Sequence, residues 1–241
     1  MSTRTCLVSV IVPALNEAEG IGATLASVAV QEGPVEVIVV DGGSSDGTAE
    51  AARRALPETA VIEAPRGRAA QMNAGAARAA GEALLFLHAD TRLPPNALAD
   101  VRHALAAPEA VGGCFRTAFG ATSGFGPAGR ALMRLWQARL WMGWHRFAFG
   151  DRALFFRRSA FETVGGFPNQ PIFEDLDAVR AVRRLGHFVF LPASVTTSAR
   201  RFERNGALRQ QLRNVGLWAA WNAGIPPRRL KRFYSDGRRR G

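Results

Sequence analysis

Four short apolar runs, separated by three helical stretches, constrain this chain more than any other feature. Residues 8–12, 35–40, 60–64 and 83–88 are runs of five or six residues, largely Val, Ile, Leu and Ala. They are too short for core helices and apolar at nearly every position, as strands covered on both faces are. Between them, residues 20–31, 46–56 and 68–80 read as helices. Strands spaced by helices build βαβ units and a mostly parallel sheet. The predicted class is therefore α/β with a mixed, mostly parallel central sheet.

After Pro94 the rhythm changes. Residues 111–119 read as a strand with an irregularity at Gly112-Gly113, and 121–129 as a Gly-rich loop. A long helix is expected over 130–147, a strand over 153–156, and helices over 174–185 and 204–223. There is no internal repeat and no clear linker. The chain is read as one domain over 1–225, with a nucleotide half at about 1–110 and an acceptor half at about 111–225. A basic tail follows at 226–241.

Composition narrows the function classes. No stretch of 18 residues is free of charge, so no membrane span is predicted. The apolar run after Met1–Thr5 is too short for a secretory signal, and Cys6 and Cys114 make no disulfide framework. Both point to the cytoplasm. The net charge of +11 is concentrated at one end: residues 200–241 hold twelve Lys and Arg against two acids. A folded nucleic-acid reader would spread that charge over a surface with aromatic or helical elements. Here it forms a tail, so no nucleic-acid partner is expected, and a peripheral contact with anionic lipid is the alternative considered.

In an open α/β sheet, ligands sit beyond the carboxyl ends of the strands, where the strand order reverses. Three strands end in carboxylates. The first is followed by Pro13, Ala14, Asn16 and Glu17. The second is followed by Asp41, Gly42, Gly43, Ser44, Ser45 and Asp46, and the fourth by His88, Ala89 and Asp90. Asp41 suits a ring N–H of a nucleobase, while Gly42 and Gly43 permit a tight turn. Ser44, Ser45 and Asp46 suit helix capping, and the whole segment equally fits a capped strand–turn–helix corner. Asp90 suits a hard divalent cation bridging two phosphates, or a turn before Pro94. Arg66 and Arg68 precede a helix and suit a phosphate, or a solvated turn. Glu174, Asp175 and Asp177 crowd a helix start. They favour the helix dipole there, and one of them could act as a general base. Asp175 and Asp177 diverge on a helix, so they cannot share that task.

Taken in order, residues 8–17, 37–48, 66–75, 85–91, Gly165-Gly166-Phe167 and 173–177 resemble glycosyltransferase family 2. The likeness spans about 7–202, and within the family it is nearest the short subgroup associated with radical-SAM partners and arsenosugar biosynthesis. The resemblance implies a GT-A fold, Rossmann-like, and a hexosyl transfer with inversion from a nucleotide-sugar, UDP- or GDP-linked, to an acceptor hydroxyl. It implies a nucleotide-sugar set of Pro13, Ala14, Glu17, Asp41, Gly42, Arg68, Ala89, Asp90 and Arg201. Asp90 is implied as a ligand to Mg²⁺ or Mn²⁺ and Asp175 as the catalytic base. His88 departs from the family, which carries an aspartate there. Arg200-Arg201-Phe202 resembles the family's Arg-Trp element, with phenylalanine in the tryptophan's place.

On the acceptor side, Arg130, Arg134, Gln137, Trp141 and His145 share one stripe of the expected long helix. That stripe suits a solvated face or a lip for a hydrophobic acceptor. Two other functions share some of these features. A nucleotidyltransferase shares the architecture but would carry a Gly-rich, Lys-bearing activation loop. A nucleic-acid-binding module rests on the tail alone.

Overall fold

The computed structural model describes residues 6–120, 152–200 and 206–234. The loop expected over 121–129, the helix expected over 130–147 and Arg201 lie outside the described residues.

The strands are β1 (Val8–Ala14), β2 (Val35–Asp41), β3 (Ala60–Glu63), β4 (Ala83–Phe86), β5 (Thr91–Arg92), β6 (Ala110–Phe119), β7 (Leu154–Arg157) and β8 (His187–Thr197). The helices are α1 (Ile21–Ala29), α2 (Thr48–Ala55), α3 (Arg68–Arg78), α4 (Ala97–Ala106), α5 (Arg158–Thr163), α6 (Glu174–Val182), α7 (Ala207–Asn222) and α8 (Pro227–Leu230). All eight strands form one sheet in the order β3-β2-β1-β4-β7-β6-β8-β5. Strands β3, β2, β1 and β4 run parallel, and β7 and β5 enter antiparallel.

The unbroken apolar runs are explained by two cores. Val8, Val10 and Val12 face one side of β1 and Ile11 the other. Val37 and Val39 oppose Ile38 and Val40 in the same way on β2, as Leu85 opposes Leu84 and Phe86 on β4. The first face is covered by α1, α2 and α4, and the second by α3, α5, α6 and α7. Each fully buried Val, Leu or Ile stabilises the fold by about 1.5–3 kcal/mol, so a strand covered on both faces leaves no position for a polar residue. Ser9, the exception on β1, is buried and donates to Glu36 Oε2 at 2.6 Å.

Two departures from the sequence reading have physical causes, and one expected irregularity is located. Strand β8 was not expected, because Pro192 interrupts its apolar pattern and lacks a ladder N–H. The pairing steps from Cys114↔Phe190 to Arg116↔Ser194, so the proline sits in a bulge that needs no ladder bond there. The irregularity expected at Gly112-Gly113 is a second register shift in β6, between Ala110 and Gly112. Helix α4 was also missed; its buried Ala97, Leu98, Val101 and Leu105 fit a helical repeat, with Asn96 before it at φ 59°.

Helix α3 approaches the sheet closely. A Cβ at Gly75 would lie 2.4 Å from Ile11 Cγ2 and 3.0 Å from Val40 Cγ2. That approach lets buried Gln71, one turn earlier, donate to the carbonyls of Ala14 (2.7 Å) and Val40 (2.8 Å).

Candidate active site

β1 lies between β2 and β4, and the chain passes from β1 through β2 and β3 before returning to β4 on the other side. The strand order therefore reverses between β1 and β4, and the loops beyond their carboxyl ends part there. Pro13, Ala14 and Glu17 come from one loop, and His88, Ala89 and Asp90 from the other. Arg200, delivered by the end of β8, spans the gap. One of its terminal nitrogens lies 2.7 Å from Glu17 Oε2 and 3.7 Å from Asp90 Oδ2. Ser198 N–H donates to the Asp90 carbonyl at 3.2 Å and fixes that register. The Glu17 hydrogen bond holds the Arg200 guanidinium above its ordinary range. Ala89 is buried, and its carbonyl accepts from Thr24 Oγ1 at 2.8 Å, which anchors the loop to α1. Pro13, half-buried, pairs in register with Val40.

Asp41 ends β2 opposite Ala14 and is buried. Its carboxylate accepts from the Ser44 hydroxyl and from Ser44 N–H at 3.1 Å, which fixes its orientation while leaving lone pairs for a ligand. Ser44 and Ser45 are thus not the helix caps expected of them. They clasp Asp41 and the first loop instead. Asn16 N–H donates to Ser44 Oγ at 2.9 Å, and Ser45 N–H donates to Asn16 Oδ1 at 2.9 Å. Glu17 N–H donates to Thr48 Oγ1 at 2.9 Å, and Ala18 N–H to Asp46 Oδ2 at 3.0 Å. Asp46 takes the capping role through Thr48 N–H at 3.1 Å. Gly42 lies against Gln71: a Cβ there would come within 2.9 Å of its amide.

The third carboxylate enters from α6. Asp175 is buried; its Oδ1 accepts from Leu176 N–H at 2.8 Å and its Oδ2 lies 3.4 Å from an Arg68 terminal nitrogen. Arg68 Nε donates to Glu174. Burial opposes the Arg68 charge, but Glu174 and Asp175 outweigh it and hold the guanidinium well above its ordinary range. Burial likewise pushes the Asp175 carboxyl up; Arg68 pulls it down and Glu174 pushes it up again. A small cavity in front of Asp175 is lined by Arg68, Met72, Phe86 and His88. Asp177 points elsewhere, accepting from Gln170 Nε2 at 2.7 Å, as its helical offset required.

Gly165-Gly166-Phe167 is a docking element. Both glycines have positive φ, +77° and +76°, and Phe167 exchanges hydrogen bonds of 2.9 and 2.8 Å with Asn73 of α3. Sequence reasoning assigned no role to Gln71 or Asn73, and gave Ser44 and Glu174 only capping, dipole or general-base roles. The first two lay within the quoted 66–75 segment, so a hint of them was present. Arg66 is an exposed turn residue. Burial pushes the Cys114 thiol up to about 11, which suits a core residue rather than a nucleophile.

Among the described residues, no three His, Cys, Asp or Glu side chains form a metal cage. Glu17 and Asp90 nevertheless converge on one cationic group, and carboxylate oxygens are the donors Mg²⁺ and Mn²⁺ prefer. These cations usually take only one or two carboxylates alongside phosphate oxygens. The residues fit an ion shared with a diphosphate.

The model of the family described as "Glycosyl transferase family 2" matches residues 9–165. The chain belongs to glycosyl transferase family 2. Among solved structures, the family 2 chain is similar to the mannosyltransferase PcManGT from Pyrobaculum calidifontis, in complex with GDP-Man and Mn²⁺. The TM-score is 0.64 at 24% identity, over 96% of this chain and 68% of that one. It is also similar to S. aureus TarS in complex with UDP-GlcNAc, with a TM-score of 0.62 at 18% identity over 79% and 58% of the two chains. Both likenesses speak for the GT-A fold. Glycosyltransferase AglE of Haloferax volcanii is 39% identical over 98 residues, 37% of this chain and 32% of that protein. The chain thus spans about a third of that relative's length.

Proposed function

We propose that this family 2 chain transfers a hexosyl group from a nucleotide-sugar to an acceptor hydroxyl, with inversion at the anomeric carbon. What supports the reading is that Asp41 and Asp90 follow β2 and β4 on either side of β1, that Arg200 pairs with Asp90, and that Asp175 and Arg68 line a cavity with His88 of the loop that carries Asp90. The crystallised relatives hold GDP-Man and UDP-GlcNAc, and a UDP- or GDP-linked donor is the reading taken here. The finer placement near the arsenosugar-associated subgroup is part of the same proposal, as is a cytoplasmic location.

Each residue has a task in this reading. Asp41 accepts from the nucleobase, in a pocket formed with Pro13, Ala14, Glu17 and Gly42. Ala89 and Asp90 face the diphosphate. Arg200, and Arg201 beside it, neutralise the charge that develops there as the sugar leaves. Asp90 would hold a divalent cation together with the donor's phosphate oxygens. That ion supplies charge stabilisation to the leaving group. Asp175 takes the acceptor's proton as the hydroxyl attacks the face opposite the diphosphate. Its burial favours the proton-accepting role, because a carboxyl pushed up from the ordinary range is a stronger base. Arg68 sits behind Asp175 and borders the cavity where the sugar would lie.

The test is Asp175→Asn. Binding of UDP or GDP, read by thermal shift with Mn²⁺ present, should persist. Transfer should fall about 10²–10⁴-fold, the usual share of a general base. Normal turnover would remove Asp175 from the role.

We also propose peripheral contact with anionic lipid through the C-terminal helices. Residues 206–234 hold six Lys and Arg and no acid. On α7, Leu212 is 65% and Val215 45% exposed, on the side opposite buried Leu217 and Trp221; Phe233 is 59% exposed. Apolar residues among cations suit an interfacial helix. Among the described residues no helix is long and apolar enough to cross a membrane.

A further inference from the structure

Glu174 has no task in the chemistry above, yet it is the most deeply buried carboxylate among the described residues, 1% exposed. It opens α6 directly after Phe173, which has φ 65°. An acid in a first helical turn gains from the dipole without burial, so helix formation does not account for it. One of its oxygens accepts from Arg68 Nε, and the other, Oε2, has no hydrogen-bond partner among the described residues. A buried carboxylate kept for stability would have both oxygens satisfied, because each lone oxygen left dry costs free energy.

The arrangement has a consequence for Asp175. Arg68 offers five N–H groups in a fork suited to a two-bonded carboxylate pair. Its Nε edge is committed to Glu174, and Asp175 receives only a terminal nitrogen at 3.4 Å. That is longer than the roughly 2.7–2.9 Å of a full charge-assisted bond. We propose that Glu174 is a positioning residue: it draws the Arg68 guanidinium onto itself and so keeps Asp175 out of a full ion pair, free to accept the acceptor's proton. This rests on the base reading of Asp175.

The groups facing Asp175 are Arg68 from α3, Glu174 on its own helix and His88 from the loop after β4; Tyr234 faces Arg68 from the C-terminal segment. Burial and Glu174 push the Asp175 proton affinity up, and Arg68 and His88 pull it down. Removing the Glu174 charge deletes one upward influence and releases Arg68 to strengthen a downward one. Both effects have the same sign.

The experiment follows the Asp175 carboxyl by ¹³C NMR in the full chain labelled at aspartate, with Asp175→Asn to assign the resonance. In Glu174→Gln the titration midpoint should move to lower pH, and in Glu174→Asp it should stay near the parent value. In an Arg68→Gln background the shift caused by Glu174→Gln should shrink, because the guanidinium it acts through is gone. An unmoved midpoint in Glu174→Gln overturns the proposal, as does an undiminished shift without Arg68. Loss of the folded state in Glu174→Gln, read by thermal melting, also overturns it, since the residue would then be structural. None of these outcomes depends on transfer, whereas full activity of Asp175→Asn would sink only the base reading beneath.

Discussion

Gly75→Ala and Gly216→Ala make the same chemical change in two helices and should have opposite effects. In a helix interior, alanine gains up to about 1 kcal/mol over glycine through the unfolded chain's lost freedom. At Gly216 on α7 a new Cβ meets nothing within 4 Å, so that gain should appear undiminished. At Gly75 on α3 the Cβ would lie 2.4 Å from Ile11 Cγ2 and 3.0 Å from Val40 Cγ2. Both residues are fully buried in mid-strand, so neither can swing into solvent. Overpacking of this kind costs about 1–3 kcal/mol, and a contact this short belongs at the upper end. The net loss for Gly75→Ala is about 2 kcal/mol after the helix gain. At about 2–4 °C per kcal/mol for a chain of this size, its Tm should fall by about 4–8 °C, while that of Gly216→Ala should rise by about 2–4 °C. The assay is thermal unfolding of both variants beside the parent, with denaturant melts as a check. Moving α3 outward would also stretch the Gln71 bonds to Ala14 and Val40, so UDP or GDP binding should weaken in Gly75→Ala alone. Equal shifts of one sign in the two variants would refute the claim that close approach of α3 to the sheet shapes the site.

Arg200→Ala should change stability by no more than about 1 kcal/mol, because the arginine is half exposed. Donor affinity should fall about tenfold or more as a charged hydrogen-bond donor is lost, measured by calorimetry with UDP- and GDP-sugars; unchanged affinity for both would remove it from the diphosphate. The pH profile of kcat/KM should show an acid limb above the ordinary aspartate range. In the proposed role Asp175 acts ionised, and burial raises the pH at which it protonates; a limb at the ordinary range or below it would contradict the role. The full chain should float with vesicles of anionic lipid at low salt and be released by added salt. Leu212→Glu together with Val215→Glu should weaken flotation, and equal binding to neutral vesicles would argue against the charge component.

Much of the first half of the sheet was legible in the chain itself. The runs at 8–12, 35–40 and 83–88 had to be buried strands, since nothing else hides so many adjacent apolar residues on both faces. Once they are parallel, the residues following them meet at one edge, and so the sequence alone places Asp41 and Asp90 there. The second half was less readable. Pro192 disguised β8, and the bulge that accommodates it exists only because β6 lies alongside.

Local sequence thus determined the parallel strands of the first half, which carboxylates end them, and that Asp175 and Asp177 part company, because these follow from periodicity and chain geometry alone. Only the tertiary structure decided partners. That Ser44 accepts from Asn16 N–H across 28 residues, that Arg200 spans Glu17 and Asp90, and that Arg68 divides itself between Glu174 and Asp175 across 106 and 107 residues of chain depends on how whole elements seat on one another. Contacts so distant in sequence leave no periodic trace, because they are set by the packing of whole elements.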